Sequence, residues 1–178
     1  MKKTVDIYEH MNHIHRMLKK GILITARKGD KVNSMTISWG QIGIEWNKLI
    51  FTTYVRTGRY THYLLEDSGE FTVNIPMSEP IGKILGYCGT NSGRDVDKVK
   101  ELGLTLEDGR KVTAPGLKEL PLTLECKIIY RQLQDSEAIP PQFRDEFYPH
   151  DVPSTVSLAN KDYHTMFYGE IVDCYLIG

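Results

Sequence analysis

The chain has 178 residues, 40% of them apolar and 25% charged, with 22 Lys and Arg against 23 Asp and Glu for a net charge of −1. That length and balance predict one ordinary globular domain that buries a core without disulfides or structural metal. The near-neutral charge argues against a protein devoted to the nucleic-acid backbone, which needs a clear positive excess, while leaving room for one local basic pocket for a small anion.

Residues 1–6 start basic with no apolar run behind them, so no signal peptide is expected, and no later stretch nears the roughly 20 apolar residues of a membrane span. Residues 21–27 and 32–39 read as strands joined by the polar, Gly-containing link 28–31, a hairpin signature. Residues 40–45 hold a further short piece. Residues 49–55 form a strong β run, and 70–75 alternate polar and apolar before Pro76. A short helix is predicted over 59–66, with Tyr60, Tyr63 and Leu64 at i, i+3, i+4. A second is predicted over 80–87, with Pro80 in its first turn, and a third over 94–102. Ser92 is read as the N-cap of that third helix, with Asp95 completing the box and Gly103 at its C-cap. Long strands follow over 122–130 and 166–177. Residues 136–151, with several prolines and charges, read as a surface excursion. Many closely spaced strands and few helices favour a mainly β barrel or sandwich.

Four constellations carry possible chemistry, and each also has a plain structural reading. In residues 33–39, Asn33, Met35, Ile37 and Trp39 face one side of a strand and Ser34, Thr36 and Ser38 the other. That pattern fits an amphipathic strand with its hydroxyl side wet, or hydroxyls lining a site for a polar aromatic ligand. In residues 52–62 a strand runs through Arg56, Thr57 and Arg59 into a helix, with Thr57 as a possible N-cap. Solvated arginines on a capped helix are one reading. The other is an anion site made by a helix N-terminus and bidentate guanidinium donors. In residues 86–98, glycines among small polar residues mark either a helix connection or a loop of close approach. Cys88 fits a buried, inert thiol better than a nucleophile. The three cysteines, Cys88, Cys126 and Cys174, include no CxxC pair and predict reduced thiols in the cytoplasm. His164, at a strand entry, either packs or contacts a ligand. His10, His13 and His15 read as surface residues. No G-x-S-x-G, H-E-x-x-H, Walker or Rossmann motif occurs.

Taken in order, residues 33–39, 54–61, 70–76, 88–98 and His164 with 169–172 resemble the flavin reductase-like family of FMN-binding split barrels, which includes flavoredoxin. The resemblance implies a six-stranded antiparallel split β-barrel with Greek-key connections and a few short helices. It implies a homodimer with FMN in a groove near the dimer interface. By position, Asn33, Ser34, Met35 and Thr36 resemble the segment bordering the isoalloxazine, with Trp39 supporting that wall. Arg56, Thr57, Arg59, Tyr60 and Thr61 resemble the ribityl-phosphate cradle. Cys88, Ser92, Gly93, Arg94, Asp97 and Lys98 resemble a second site-forming segment. His164 resembles a residue near flavin and nicotinamide. The activity implied is FMN reduction by NAD(P)H, with electrons passed to a small molecule or a redox partner protein. A flavoredoxin-type carrier without NAD(P)H oxidation, or a ligand-binding barrel without flavin, stand beside it. Neither nucleic acid nor membrane is implied as a partner.

Overall fold

The structure, a computed structural model, describes residues 1–78 and 81–178. Strand β1 (Lys2–Thr4) leads through a 3-10 turn, Ile7–His10, into helix α1 (Met11–Lys20). Strands β2 (Ile22–Lys28), β3 (Lys31–Ile37), β4 (Gly40–Glu45) and β5 (Lys48–Arg56) follow. Helix α2 (Tyr60–Ser68) precedes β6 (Glu70–Ile75), and helices α3 (Gly82–Thr90) and α4 (Lys98–Leu102) come next. Two short strands, β7 (Leu106–Glu107) and β8 (Gly116–Leu117), form a ribbon before the long β9 (Leu122–Leu133). Helix α5 (Pro141–Phe147) and the terminal strand β10 (His164–Ile177) complete the chain.

Eight strands share one antiparallel sheet in the order β3-β2-β6-β9-β10-β5-β4, with β1 pairing the far end of β10. The class is mainly β, as expected, but the sheet has eight strands rather than six, with the β7–β8 ribbon in addition. β3 and β4 are consecutive in the chain yet stand at opposite ends of the path. Met35 and Ile37 of β3 and Ile42 of β4 nonetheless meet the same core as Phe51, Phe71, Leu124 and Phe167. The sheet therefore wraps one core and stays split at the seam, which residues 38 and 39 cross.

The β2–β3 hairpin turns through Gly29, whose φ of 55° suits a two-residue link between Lys28 and Lys31. β2 is buried on both sides because both faces are covered. Ile22, Ile24 and Ala26 join the barrel core, while Leu23 packs with Cys88, Leu104, Leu117 and Leu120 outside it. On that outer side Asn74 donates to the Thr25 and Thr72 hydroxyls at 3.0 Å each, and Leu117 N–H donates to Asn74 Oδ1 at 3.1 Å. These buried polar groups are paired, which is what makes their burial tolerable. Gly169 lies at a bulge in β10, and a Cβ there would come within 2.6 Å of the Phe71 ring and 2.7 Å of Cys126 Cβ.

Several sequence expectations shift. An N-terminal helix not anticipated from sequence buries Ile14 and Leu18 one turn apart, and Gly21 caps it rather than opening β2. α2 begins at Tyr60 with Arg59 at the N-cap position and no side-chain capping bond, so Thr57 is not the cap. The helix expected over 94–102 starts only at Lys98, because Asp97 accepts from Lys100 N–H and caps it. The Ser92 hydroxyl instead accepts from Arg94 N–H in a local turn. Gly103 is left-handed at the C-cap, as expected. Pro80, placed in a first helical turn by sequence, lies outside the described residues. The excursion 136–151 contains a 3-10 turn, Ser136–Ala138, and α5 with a proline in its first turn. His13 is half-buried, with Nε2 2.7 Å from the Pro76 carbonyl. Among the described residues no helix is long and apolar enough to cross a membrane.

Candidate functional site

Two chambers meet at the split. The larger, about 550 Å³, is walled by Met35, Thr36 and Ile37 at the end of β3 and by Trp39 at the seam. Tyr54 of β5, His164 of β10 and Leu85 of α3 continue the wall, and Phe147 with residues 157–159 close it from above. Trp39 stands edge-on to Phe147 at 5.2 Å and tilted against His164 at 5.0 Å. This chamber is largely apolar and aromatic. The second, about 380 Å³, is polar. Asn33, Tyr60, Thr61, Ser92 and Gly93 line it, with the cations Arg59, Arg94 and Lys98 against one carboxylate, Asp95. Met35, Arg59 and Thr90 belong to both walls, so the chambers adjoin.

Local folding explains the polar chamber. Asn33, buried on β3, donates to the Thr61 hydroxyl in the first turn of α2 at 2.7 Å. The 91–97 loop presses onto this pair, since a Cβ at Gly93 would come within 2.2 Å of Asn33 Oδ1 and 2.7 Å of Tyr60. A larger residue there would fill the chamber's wall. Arg94 donates to the Gly58 carbonyl at 2.9 Å and lies over the Tyr60 ring at 5.5 Å. Lys98 is 3% exposed, and its ammonium donates to the Ser34 carbonyl at 3.0 Å and the Cys88 carbonyl at 2.9 Å. Burial pulls its pKa down to about 8, with the nearby Arg59 adding to the effect. A buried ammonium with two neutral acceptors and a third N–H is stabilised by an anion arriving beside it.

The end of the 136–151 excursion, expected as a surface loop, and the segment that follows it roof the larger chamber, and two arginines hold them. Arg56, 7% exposed, donates through Nη2 to the Phe147 carbonyl at 2.9 Å and through Nη1 to the carbonyls of Asn160, at 3.3 Å, and Asp162. Its guanidinium also lies 5.0 Å over the Tyr148 ring. Arg59 donates to the Ser157 carbonyl. Burial lowers the pKa of both guanidinium groups, which keep their charge. His164 pairs with Arg56 across β10 and β5 and is buried at 6% exposure. Burial first, then the charges of Arg56 and Arg59, push its pKa down to about 3, so the imidazole is neutral at neutral pH. Cys88 is buried and its thiol pKa is raised by that burial.

A family model described as the flavin reductase like domain matches residues 14–178. The chain belongs to the flavin reductase-like family. Solved flavoredoxins of Desulfovibrio vulgaris (Miyazaki F) and Methanosarcina acetivorans are 25% and 26% identical to it, with TM-scores of 0.65 and 0.64. Those superpositions cover 88% of this chain and 69% and 68% of the respective flavoredoxins. An uncharacterized protein of Archaeoglobus fulgidus is 34% identical over 100 residues, 56% of this chain. The chain thus spans just over half, 55%, of that relative's length.

Within this flavin reductase-like fold, most residues singled out by sequence come together. Thr36, Trp39, Arg56 and His164 meet at the aromatic chamber, and Asn33, Tyr60, Thr61, Cys88, Ser92, Gly93, Arg94 and Lys98 at the polar one, with Met35 and Arg59 in both. Three do not. Ser34 turns to the outer side of the sheet, where its hydroxyl pairs with Thr25 at 2.8 Å, so the hydroxyl side of β3 is not wet there. Thr57 is exposed and lines neither chamber. Asp97 caps α4 instead. Arg56 lies on the wall of the aromatic chamber, but its guanidinium is engaged by backbone carbonyls, so it anchors the roof. Tyr54, Leu85, Phe147 and residues 157–159 were missed by sequence reasoning, although Gly86 and Gly89 beside Leu85 carried the close-approach signal.

Proposed function

We propose that the protein is an FMN-dependent oxidoreductase that takes electrons from NAD(P)H and passes them to a second acceptor. The observation that carries this reading is the pairing of a largely apolar, aromatic chamber with an adjoining cationic one, which suits an aromatic ring system bearing an anionic tail. The residues fit FMN in chemistry as well as shape. Lys98, Arg59 and Arg94 supply positive charge for a phosphate dianion, and Asn33 and Thr61 supply neutral donors. Met35, Trp39 and Leu85 supply apolar surface for a ring. When bound, FMN supplies the hydride and electron chemistry itself. The protein's part is binding, orientation and exclusion of water. Arg59 bridges the chambers and fixes where ring and tail divide, while Arg56, by holding the roof, shields the ring side from solvent.

The reading extends to a cytoplasmic homodimer. It is supported by exposed aromatic side chains on one side of β9 and in the turn after β4, where Trp46 meets Tyr130 at 6.3 Å. A second copy covering that side would bury these aromatic residues. The buried, unpaired thiols of Cys88, Cys126 and Cys174 accord with a reducing compartment.

The test is the absorbance spectrum after incubation with FMN and removal of excess, repeated anaerobically with NADH or NADPH. Retained flavin bands that bleach support the reductase. Retained bands that do not bleach point to a carrier fed by a protein partner. Absence of any flavin retention or turnover would refute the assignment.

A further inference from the structure

The roof brings a hydroxyl to His164 that the sequence gives no reason to expect there. Tyr148, at the C-terminal end of α5, is 4% exposed, stacked on Tyr163 at 4.6 Å and 17° and covered by Arg56. Its hydroxyl lies 2.9 Å from His164 Nδ1. The same hydroxyl donates to Gln134 Oε1 at 2.8 Å. Gln134 is itself fixed beside His164, because its backbone N–H donates to the His164 carbonyl at 2.9 Å.

A phenol has one proton. If Tyr148 donates it to Gln134, the hydroxyl meets His164 through a lone pair, and Nδ1 must carry the hydrogen. A neutral imidazole has a single N–H, so Nε2 is then bare. Burial first, and then the charges of Arg56 and Arg59, hold the ring neutral against Glu146, the carboxylate on the same chamber wall. We infer that Gln134 and Tyr148 are positioning residues that fix His164 as the Nδ1–H tautomer, so that Nε2 offers the aromatic chamber a hydrogen-bond acceptor. The chamber then favours a bound group presenting an N–H or O–H edge at that point. His164 acts toward it as an acceptor and not as a proton donor. This inference rests on the reading of the chamber as a ligand site, but the tautomer does not depend on which ligand fills it.

Long-range proton–nitrogen correlation NMR of the 15N-labelled protein at pH 7.5, without added ligand, reads the tautomer directly. The His164 signals are assigned by their loss in His164→Gln. The expected result is a protonated Nδ1 and an unprotonated Nε2. A protonated Nε2 would overturn the inference, since the Gln134 amide would then donate to Tyr148 and Tyr148 to His164. In Gln134→Met the hydroxyl loses its acceptor and turns to Nδ1, so His164 is expected to switch to the Nε2–H form. A ring that keeps the wild-type tautomer in that variant would remove Gln134 from the role. Tyr148→Phe, where it folds, should leave a mixture of the two forms. Flavin retention is scored separately by absorbance. A correct tautomer without flavin binding would sink only the functional assignment, and the reverse would sink only this one.

Discussion

Arg56→Ala separates two roles that sequence reasoning would merge, since an arginine at a strand-to-helix junction serves equally as a phosphate ligand or as a clasp. Here the guanidinium makes three bonds to main-chain oxygens of Phe147, Asn160 and Asp162, and a cation–π contact with Tyr148. Hydrogen bonds from a charged donor contribute about 1.5–3 kcal/mol each, but the 3.3 Å bond is weak and water enters the truncated site, so the sum is not realised. A loss of about 3–4 kcal/mol follows, within the range for breaking a buried charged network. The assay is chemical denaturation of the flavin-free protein, with amide hydrogen exchange followed over residues 147–162. Lower stability with faster exchange confined to that segment is expected. Unchanged stability and exchange with a large loss of FMN affinity would refute the anchoring argument and return Arg56 to the phosphate.

Other consequences can be checked alongside. Lys98 has its pKa depressed to about 8 in the fold from 10.5, so the unfolded chain binds the extra proton between those values and flavin-free stability should rise with pH across that window. FMN affinity should fall as pH climbs from 7 to 9, whereas riboflavin, lacking the phosphate, should bind about equally at both; fluorescence titration distinguishes them, and Lys98→Met should flatten the FMN trend. His164 is depressed to about 3 from 6.5, so stability should decline as pH drops from 6.5 towards 3. Thermal melts at pH 7 and pH 5 should show a smaller acid penalty in His164→Gln. Gly169→Ala pushes a methyl into Phe71 and Cys126, both fully buried, and should lower stability by about 1–3 kcal/mol, read as a reduced melting temperature.

The strands were legible because their period and turn chemistry are local. The Gly29 hairpin, the β run ending at Arg56 and the alternation of β6 before Pro76 all express short-range rules. The N-terminal helix was missed although Ile14 and Leu18 lie at helical spacing, because the polar residues and histidines between them dilute the stripe. Ser92 reads as the cap of the third helix, but the cap is Asp97, five residues later, and a local turn takes the Ser92 hydroxyl. The polar chamber was readable because its residues cluster in three segments. The roof was not: the acceptors of Arg56 are main-chain oxygens about a hundred positions away, and a carbonyl leaves no mark in a sequence. Likewise, nothing in the run around Tyr148 points to Gln134 or His164.

The hydrogen bonds of the clasp made by Arg56 are indifferent to side-chain identity, since they hold carbonyl oxygens that every residue possesses. The segment it secures also provides the wall facing whatever enters the aromatic chamber, through Phe147 and residues 157–159. Attachment and selectivity are therefore written in different atoms of the same stretch. Substitution at residues 157–159 can reshape the wall while leaving the fastening untouched, so one barrel can present many linings, and a swapped roof of equal length inherits its mooring from the host.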